Sequence, residues 1–501
     1  MTSHMTTPPS EAETDRRRWI ALVVLCAGFL MIILDQTIVN VALPSIQSDL
    51  HFSSSALAWV VNAYLIAFGG LLLAFGRLGD LIGRRKIFLA GLAVFTSASL
   101  ACGLADSRAL LVGARFVQGV GGAMTSAVIL GMIVTMFPQP ADRAKAIGIY
   151  SFVAAAGGAI GLLAGGVLTQ AINWHWIFFV NLPIGVVTGV LATRLLPAES
   201  GIGLDRGADV LGALLLVASL MLAVYAIVET SNYGWGSART LGFGAVAVAL
   251  LGAFIVRQAT AANPLVPLRM FSSRTVTVAN AVMVLMVAGI FGMFFLGALY
   301  LQGVLGYDAV EVGLAFLPVA VGIAAVSVRL APRMIMRYGA ATTMIAGLVL
   351  VAAGLLVFCR APVHAGYVSD LLPAMVPLGV GAGLVFPALA TLAMSGATPE
   401  DSGLASGLVN TTRQVGGALG LSVLATVAST RTGTLSAHGA STAVALTGGY
   451  HLAFAIAAGL VLAAIAVSVV FLRPTRTLKA APKPVTLVEP ELEPEYLQQA
   501  A

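Results

Sequence analysis

Asp35 and Arg115 set the chemical question, because each lies inside an apolar run long enough to cross a bilayer. Asp35 sits in Leu34-Asp-Gln-Thr-Ile-Val-Asn-Val-Ala-Leu-Pro44. It is about 13 Å from Pro44 at the helical rise of 1.5 Å per residue, which fits poorly with a carboxylate snorkelling from a helix end. A carboxylate at that depth costs about 2.5–3.5 kcal/mol even on lenient insertion scales, so it must pair, protonate or face water. Arg115, in Leu110-Leu-Val-Gly-Ala-Arg-Phe-Val-Gln-Gly119, is about 10 Å into its own run and so at similar depth. Gln118 follows it by three residues and shares its helix face. Burial favours the protonated carboxyl and a nearby cation favours the ionised one, so a carboxylate held between the two can take up and release a proton. A purely structural ion pair is the alternative. The two are compatible if the pair breaks and re-forms.

The densest charge lies in Gly76-Arg-Leu-Gly-Asp-Leu-Ile-Gly-Arg-Arg-Lys86, a loop between two apolar runs with four cations, one carboxylate and three glycines. Its Lys/Arg cluster anchors that side in the cytoplasm, and its glycines allow helix ends to approach closely. Anchoring alone explains the cations but not the spacing of Gly76, Asp80, Gly83, Arg84 and Arg85.

The elements that must position these groups are membrane spans. The chain is 59% hydrophobic and 10% charged, far below the charge content of a soluble protein, about 25%. Spans of roughly 20 residues are predicted near 20–44, 56–76, 87–105, 109–131, 146–170, 178–196, 208–228, 240–257, 275–302, 309–330, 341–358, 368–394, 404–430 and 449–472. With a cytoplasmic N-terminus, 21 of the 27 Lys and Arg fall on the cytoplasmic side and four outside, with Arg115 and Arg413 inside spans. Both termini are therefore expected inside. The basic balance reflects topology, and no nucleic-acid partner is expected. The three cysteines are far apart and the six histidines scattered, so neither a disulfide framework nor a metal site is implied. The first run follows Arg16-Arg-Arg18 but is too long for a signal peptide and lacks a small-residue cleavage site.

The chain also repeats. Ala156-Gly-Gly-Ala-Ile-Gly161 recurs as Val415-Gly-Gly-Ala-Leu-Gly420, Gly119-Val-Gly121 as Gly379-Val-Gly381, and Arg77 and Gly83 as Arg333 and Gly339. Matches in order at nearly one offset imply two homologous six-helix bundles, with an inserted helix pair between them. The expected division is a cytoplasmic tail (1–18), a first bundle (19–196), the inserted pair (197–258), a second bundle (259–472) and a disordered, Pro- and Glu-rich tail (473–501).

Other residues stand out. Gly157, Gly161, Gly165 and Gly166 give one helix a small-residue face for close contact. Trp59, Asn62 and Tyr64 on the second run, Gln118, and Asn410, Arg413 and Gln414 on the thirteenth are candidates to line a substrate cavity. Arg413 is a second buried cation without an obvious carboxylate partner.

The combination resembles the fourteen-helix drug:proton antiporters of the major facilitator superfamily. The likeness runs through residues 34–44, 76–86, Arg115-Phe-Val-Gln-Gly-Val-Gly121, 157–166, Trp174-His-Trp-Ile-Phe-Phe-Val-Asn-Leu-Pro-Ile-Gly185 and Asn410-Thr-Thr-Arg-Gln-Val-Gly-Gly417. It departs at Leu162, where the family's fifth-helix pattern has proline, and at His175, where it usually has arginine. The resemblance implies an all-α membrane fold and monomeric, proton-driven efflux of small amphipathic compounds without a cofactor, by rocking of two bundles in the cell's inner (plasma) membrane. It implies Asp35 as proton carrier, Arg115 as its coupling partner, and Asp80, Gly83 and Arg84 as a latch holding the outward-open state. An enzyme is disfavoured because no nucleophile–base pair, metal cluster or phosphate loop is present. The competing reading is a dedicated exporter of one metabolite or self-made antibiotic. Monocations and neutral amphipaths stacked on Trp59 or Tyr64 are the expected substrates.

Overall fold

The computed structural model describes residues 11–197, 201, 203, 209–266, 268–395 and 402–472. The tail expected at 473–501 lies outside them. The described chain is built from long helices: α1 (Glu11–Asp49), α2 (Ser54–Ile82), α3 (Arg84–Gly103), α4 (Arg108–Met136), α5 (Pro140–Ala171), α6 (Trp176–Leu195), α7 (Val210–Tyr233), α8 (Ala238–Thr260), α9 (Arg274–Gly303), α10 (Ala309–Tyr338), α11 (Ala340–Phe358), α12 (Tyr367–Met394), α13 (Ser402–Ala437) and α14 (Thr442–Phe471). Among the described residues, 12 helices are long and apolar enough to cross a membrane. The other two are α5, of which Ala156–Ala171 is the apolar stretch, and α13, which is rich in Gly, Ser and Thr.

Helix ends follow local chemistry. Ser53 caps α2 by accepting the Ala56 N–H, and Asp308 and Glu311 cap α10 reciprocally. Between α2 and α3 a single residue breaks the helix: Gly83, at φ 108°, where a side chain would be strained. Its repeat partner Gly339, at φ 85°, separates α10 from α11 in the same way. Several helices run further than the predicted spans, α2, α4, α5, α13 and α14 among them, and two of the extensions bear on the site and the repeat. The first continues through Pro44 to Asp49, which sets Asp35 deeper than expected. The tenth continues past residue 330 to Tyr338 by taking a π-helical turn at Val326–Leu330 just before Pro332, which has no N–H to give the regular ladder.

The repeat is a repeat of packing. A methyl group on Gly119 would come within 2.5 Å of the Tyr64 carbonyl on α2, and one on Gly379 within 2.8 Å of the Val319 carbonyl on α10. Gly121 abuts Phe95 of α3, and Gly381 the Gly347 carbonyl of α11. The α5 stripe Gly157, Gly161 and Gly165 packs on α1 at Ile33, Thr37 and Ile38, and Gly416, Gly417 and Gly420 of α13 pack on α9. Close backbone approach is what small residues contribute where lipid supplies no hydrophobic drive between helices.

Each half lends its fifth helix to the second helix of the other. On α5, Gly166 meets the Ala309 carbonyl of α10, and the Leu162 carbonyl meets Gly313. On α13, Thr411 donates to the Gly69 carbonyl of α2 at 2.8 Å, and Gln414 packs on Gly69. Leu162, at the position where the resemblance leads one to expect proline, is buried at the α5–α10 seam.

The pair α7–α8 leans on the α2–α13 seam through α7. Val217 packs on Gly70, Ser231 pairs with Ser55 of α2 at 3.0 Å, and Thr426 of α13 donates to the Ile227 carbonyl at 3.4 Å. Only 17% of the apolar window of α8 is buried, against 78% for α2, so α8 presents its surface to lipid. Asp209 ties the ends of the pair together. It is buried and accepts hydrogen bonds from Arg257 Nε (2.9 Å), Gln258 Nε2 (2.8 Å) and the Gly212 N–H.

Candidate functional site

The helices converge on Asp35 from four sides. Arg115 of α4 donates from Nη1 to Asp35 Oδ2 at 2.6 Å. Gln118 Nε2 and Asn181 Nδ2 donate to Asp35 Oδ1 at 2.7 and 3.0 Å. Arg115 is itself held: Nε donates to the Val60 carbonyl of α2 at 2.9 Å, and Nη1 also donates to Gln118 Oε1 at 2.6 Å. Its guanidinium lies 4.4 Å from the centre of the Tyr64 ring. Ser99 of α3 closes the network by accepting from Gln118 at 2.8 Å and donating to the Phe95 carbonyl. Asp35 and Gln118 are fully buried and Arg115 is 1% exposed. Removing either member of such a pair would leave a desolvated charge, a cost of about 3–5 kcal/mol.

A cavity of about 520 Å³ lies beside this node and reaches the 76–86 loop, where Gly76, Arg77, Asp80 and Arg84 line it. Its walls come from α1, α2, α4 and α5, from Arg84 at the start of α3, from α13, and from the segment 262–265 that follows α8. Gln36 joins cavity to node. It lines the cavity one residue after Asp35 and donates to the Tyr64 hydroxyl at 3.4 Å. On the side away from the loop the halves are in contact, with Gln170 donating to Asp308 at 2.9 Å and Gln302 to the Val41 carbonyl at 3.2 Å. The Asp308 carboxyl, although exposed, is held below the usual carboxylate range by the Glu311 N–H, with Gln170 adding to it.

The predicted site residues divide between these places. Asp35, Arg115 and Gln118 come together as one unit. Tyr64 and Gln118, candidates for the cavity wall, are fully buried in the node instead, because the guanidinium needs a ring face and the carboxylate a donor. Asn410 and Arg413 do line the cavity. Gln414 is buried against Gly69, and Asn62 donates to Ser422 of α13 at 2.8 Å, so both belong to the α2–α13 seam. Trp59 is half-buried against the core and does not reach the cavity. In the loop, Asp80 accepts from Arg84 Nε and Nη2 at 3.0 and 2.9 Å, Arg84 also reaches the Gly131 carbonyl of α4, and Arg85 reaches the Thr193 carbonyl of α6. Gly76 lines the cavity mouth with Arg77 and Asp80. Sequence reasoning assigned no role to Ser99, Asn181 or Gln36. Asn181 was the detectable one, a lone amide within an apolar run.

The sequence profile of the Major Facilitator Superfamily matches residues 25–421. The chain belongs to the Major Facilitator Superfamily. Among relatives in this superfamily, the puromycin resistance protein of Streptomyces alboniger is 39% identical over 89% of this chain and 90% of its own length. The cephamycin export protein of Amycolatopsis lactamdurans is 41% identical over 81% and 84%, and the multidrug resistance protein Stp of Mycobacterium tuberculosis (strain CDC 1551 / Oshkosh) 33% over 82% and 76%. A solved structure, of a bacterial homologue of the human lysosomal transporter Spinster in an inward-facing, unoccupied conformation, aligns over 95% of this chain and all of its own at a TM-score of 0.67. The peptide transporter PepTSo aligns over 90% and 97% at 0.66. Both are 16% identical to this chain, a level that speaks for the fold alone. The chain is thus a multi-span membrane protein with the facilitator fold.

Proposed function

We propose that this protein exports small amphipathic drugs or antibiotics across the plasma membrane in exchange for protons, by alternating access, as a monomer with fourteen spans and both termini in the cytoplasm. The observation that carries the reading is the adjacency of Gln36 and Asp35: one lines the cavity between the halves, and the next residue back is a sealed carboxylate bound to Arg115. Names of relatives, which speak of puromycin and multidrug resistance and of cephamycin export, support efflux as the direction. Protonation of Asp35 removes the charge that holds Arg115 Nη1. Arg115 then relaxes against Tyr64, and Gln36 passes that shift to the cavity wall. Deprotonation restores the pair. The proton gradient is the energy source, and no cofactor takes part.

In the conformation described here the cavity reaches the loop side, and the halves are in contact on the far side. If the loop side is cytoplasmic, as its cations favour, this is the substrate-loading state. Asp80 then rests on Arg84 within its own half, and its proposed part as a latch belongs to the opposite state. The test is accumulation of fluorescent amphipaths, cationic, neutral and anionic, in cells expressing the protein, with and without a proton uncoupler. Reduced accumulation that the uncoupler reverses is expected; equal accumulation in both would contradict proton-driven export. A second reading, a dedicated exporter of one compound, is favoured by one fact: the relatives at 39% and 41% identity are each named for a single antibiotic. A resistance panel limited to one chemical scaffold would select it.

A further inference from the structure

The ionisable groups around the cavity do not balance. Asp35 is sealed off behind Gln36, its oxygens occupied by Arg115, Gln118 and Asn181. Asp80, at the mouth, is engaged by two N–H groups of Arg84. Among the described residues that line the cavity, the charges are Arg77, Arg84 and Arg413 against Asp80 alone. Arg413 lies within α13, half-buried on the cavity wall, and its Nε is buried with no hydrogen-bond partner among the described residues. Beside it Tyr150 stacks on Phe29, ring centres 4.2 Å apart and planes 21° from parallel. The Asn410 amide lies one turn before Arg413 on the same face.

A partly desolvated guanidinium is best satisfied by an anion or several acceptors. Among the described residues that line the cavity the only carboxylate is Asp80, which is engaged by Arg84. The cavity's volume is that of a small-molecule site, and its apolar wall suits a hydrophobic body. We propose that Arg413 is the recognition point for an anionic head group, and that the amphipaths held best in this conformation carry a carboxylate or phenolate. The head pairs with the Arg413 guanidinium, and the apolar body stacks on the Phe29–Tyr150 wall. A cation in the same pose would face Arg413 at close range with no free carboxylate to receive it. This reverses the preference for monocations that the sequence alone suggests. It deepens, and rests on, the reading of the chain as an exporter of amphipaths.

The test uses purified protein in lipid nanodiscs and three fluorescent probes with one body: 11-(dansylamino)undecanoic acid, its methyl ester, and the matching primary amine. Binding is followed by dansyl emission in wild type, Arg413→Gln and Arg413→Lys. The acid is expected to bind roughly tenfold or more tightly than ester or amine, as expected for a hydrogen-bonded charge. That margin should vanish in Arg413→Gln and survive in part in Arg413→Lys. Equal affinity of the three probes in wild type overturns the proposal without any variant, as does an acid preference that persists in Arg413→Gln. Saturable binding of none of them overturns both the head-group assignment and this cavity as its site. Uncoupler-sensitive export of any amphipath, whatever its charge, alongside either result leaves the efflux reading standing, so the two failures are distinguishable.

Discussion

The two halves of the molecule share a skeleton and differ in charge. Gly119 and Gly121 in α4 have their counterparts in Gly379 and Gly381 in α12, with the same close contacts to the second and third helices of each half. At the same register, Arg115 corresponds to Met375 and Gln118 to Leu378, both buried and apolar. The second half is thus a working example of the packing without the ion pair. Holding such a bundle together does not require Asp35 and Arg115. An ion pair retained where an apolar pair suffices, at a desolvation cost, is best explained by what it does.

The largest effect is expected from making the first half resemble the second. Arg115→Met orphans the Asp35 carboxylate and should abolish uphill transport while lowering stability by about 3–5 kcal/mol. Thermal unfolding in detergent and transport in proteoliposomes measure the two separately. The double change Asp35→Leu with Arg115→Met should recover most of that stability and none of the transport, because an apolar pair of suitable volume often matches a buried ion pair. Recovery of transport would break the comparison. Failure to recover stability would mean that the node is structural after all.

A smaller effect is expected at the loop. Asp80→Asn keeps a hydrogen-bond acceptor for Arg84 but removes the charge. Transport should slow several-fold while substrate affinity at equilibrium stays within about twofold, the pattern of a group that serves switching. A weakened affinity with an unchanged rate would place Asp80 in binding.

The smallest concerns the seam between the halves. Asp308 has its carboxyl lowered, chiefly by the Glu311 N–H and further by Gln170. A group whose folded value is depressed contributes stability above its unfolded value and loses it as pH falls through the folded one. The contribution should therefore be complete near neutrality and fade below about pH 4. Asp308→Asn should flatten that acid-side slope with little change at pH 7, as read from unfolding temperature against pH.

Much of this was legible in the sequence, for physical reasons that also mark what was not. Asp35 and Arg115 were visible because charges in apolar runs are costly and few, and equal depth on two helices is arithmetic on the rise. The glycine repeats were visible because close packing leaves small residues at fixed intervals. Side-chain direction was not. Tyr64 and Asn62 are two residues apart on α2, yet one lies under Arg115 and the other pairs with Ser422 across the seam. Spacing cannot say which polar group a helix turns toward its own half and which toward the other. Nor could it place Gln36 between cavity and node, since that depends on where α13 stands. The end of α1 was misread because Pro44 looks like a stop, whereas in a membrane bundle neighbouring helices accommodate it.

The central claim is that Asp35 carries the proton that drives export. Proteoliposomes holding wild type or Asp35→Asn, with an imposed pH gradient and a transported fluorescent substrate, test it directly. Wild type should accumulate the substrate against its gradient and collapse when the pH difference is abolished. Asp35→Asn, inserted to the same level, should only equilibrate the substrate down its gradient. Uphill accumulation by Asp35→Asn at the wild-type rate would contradict the account.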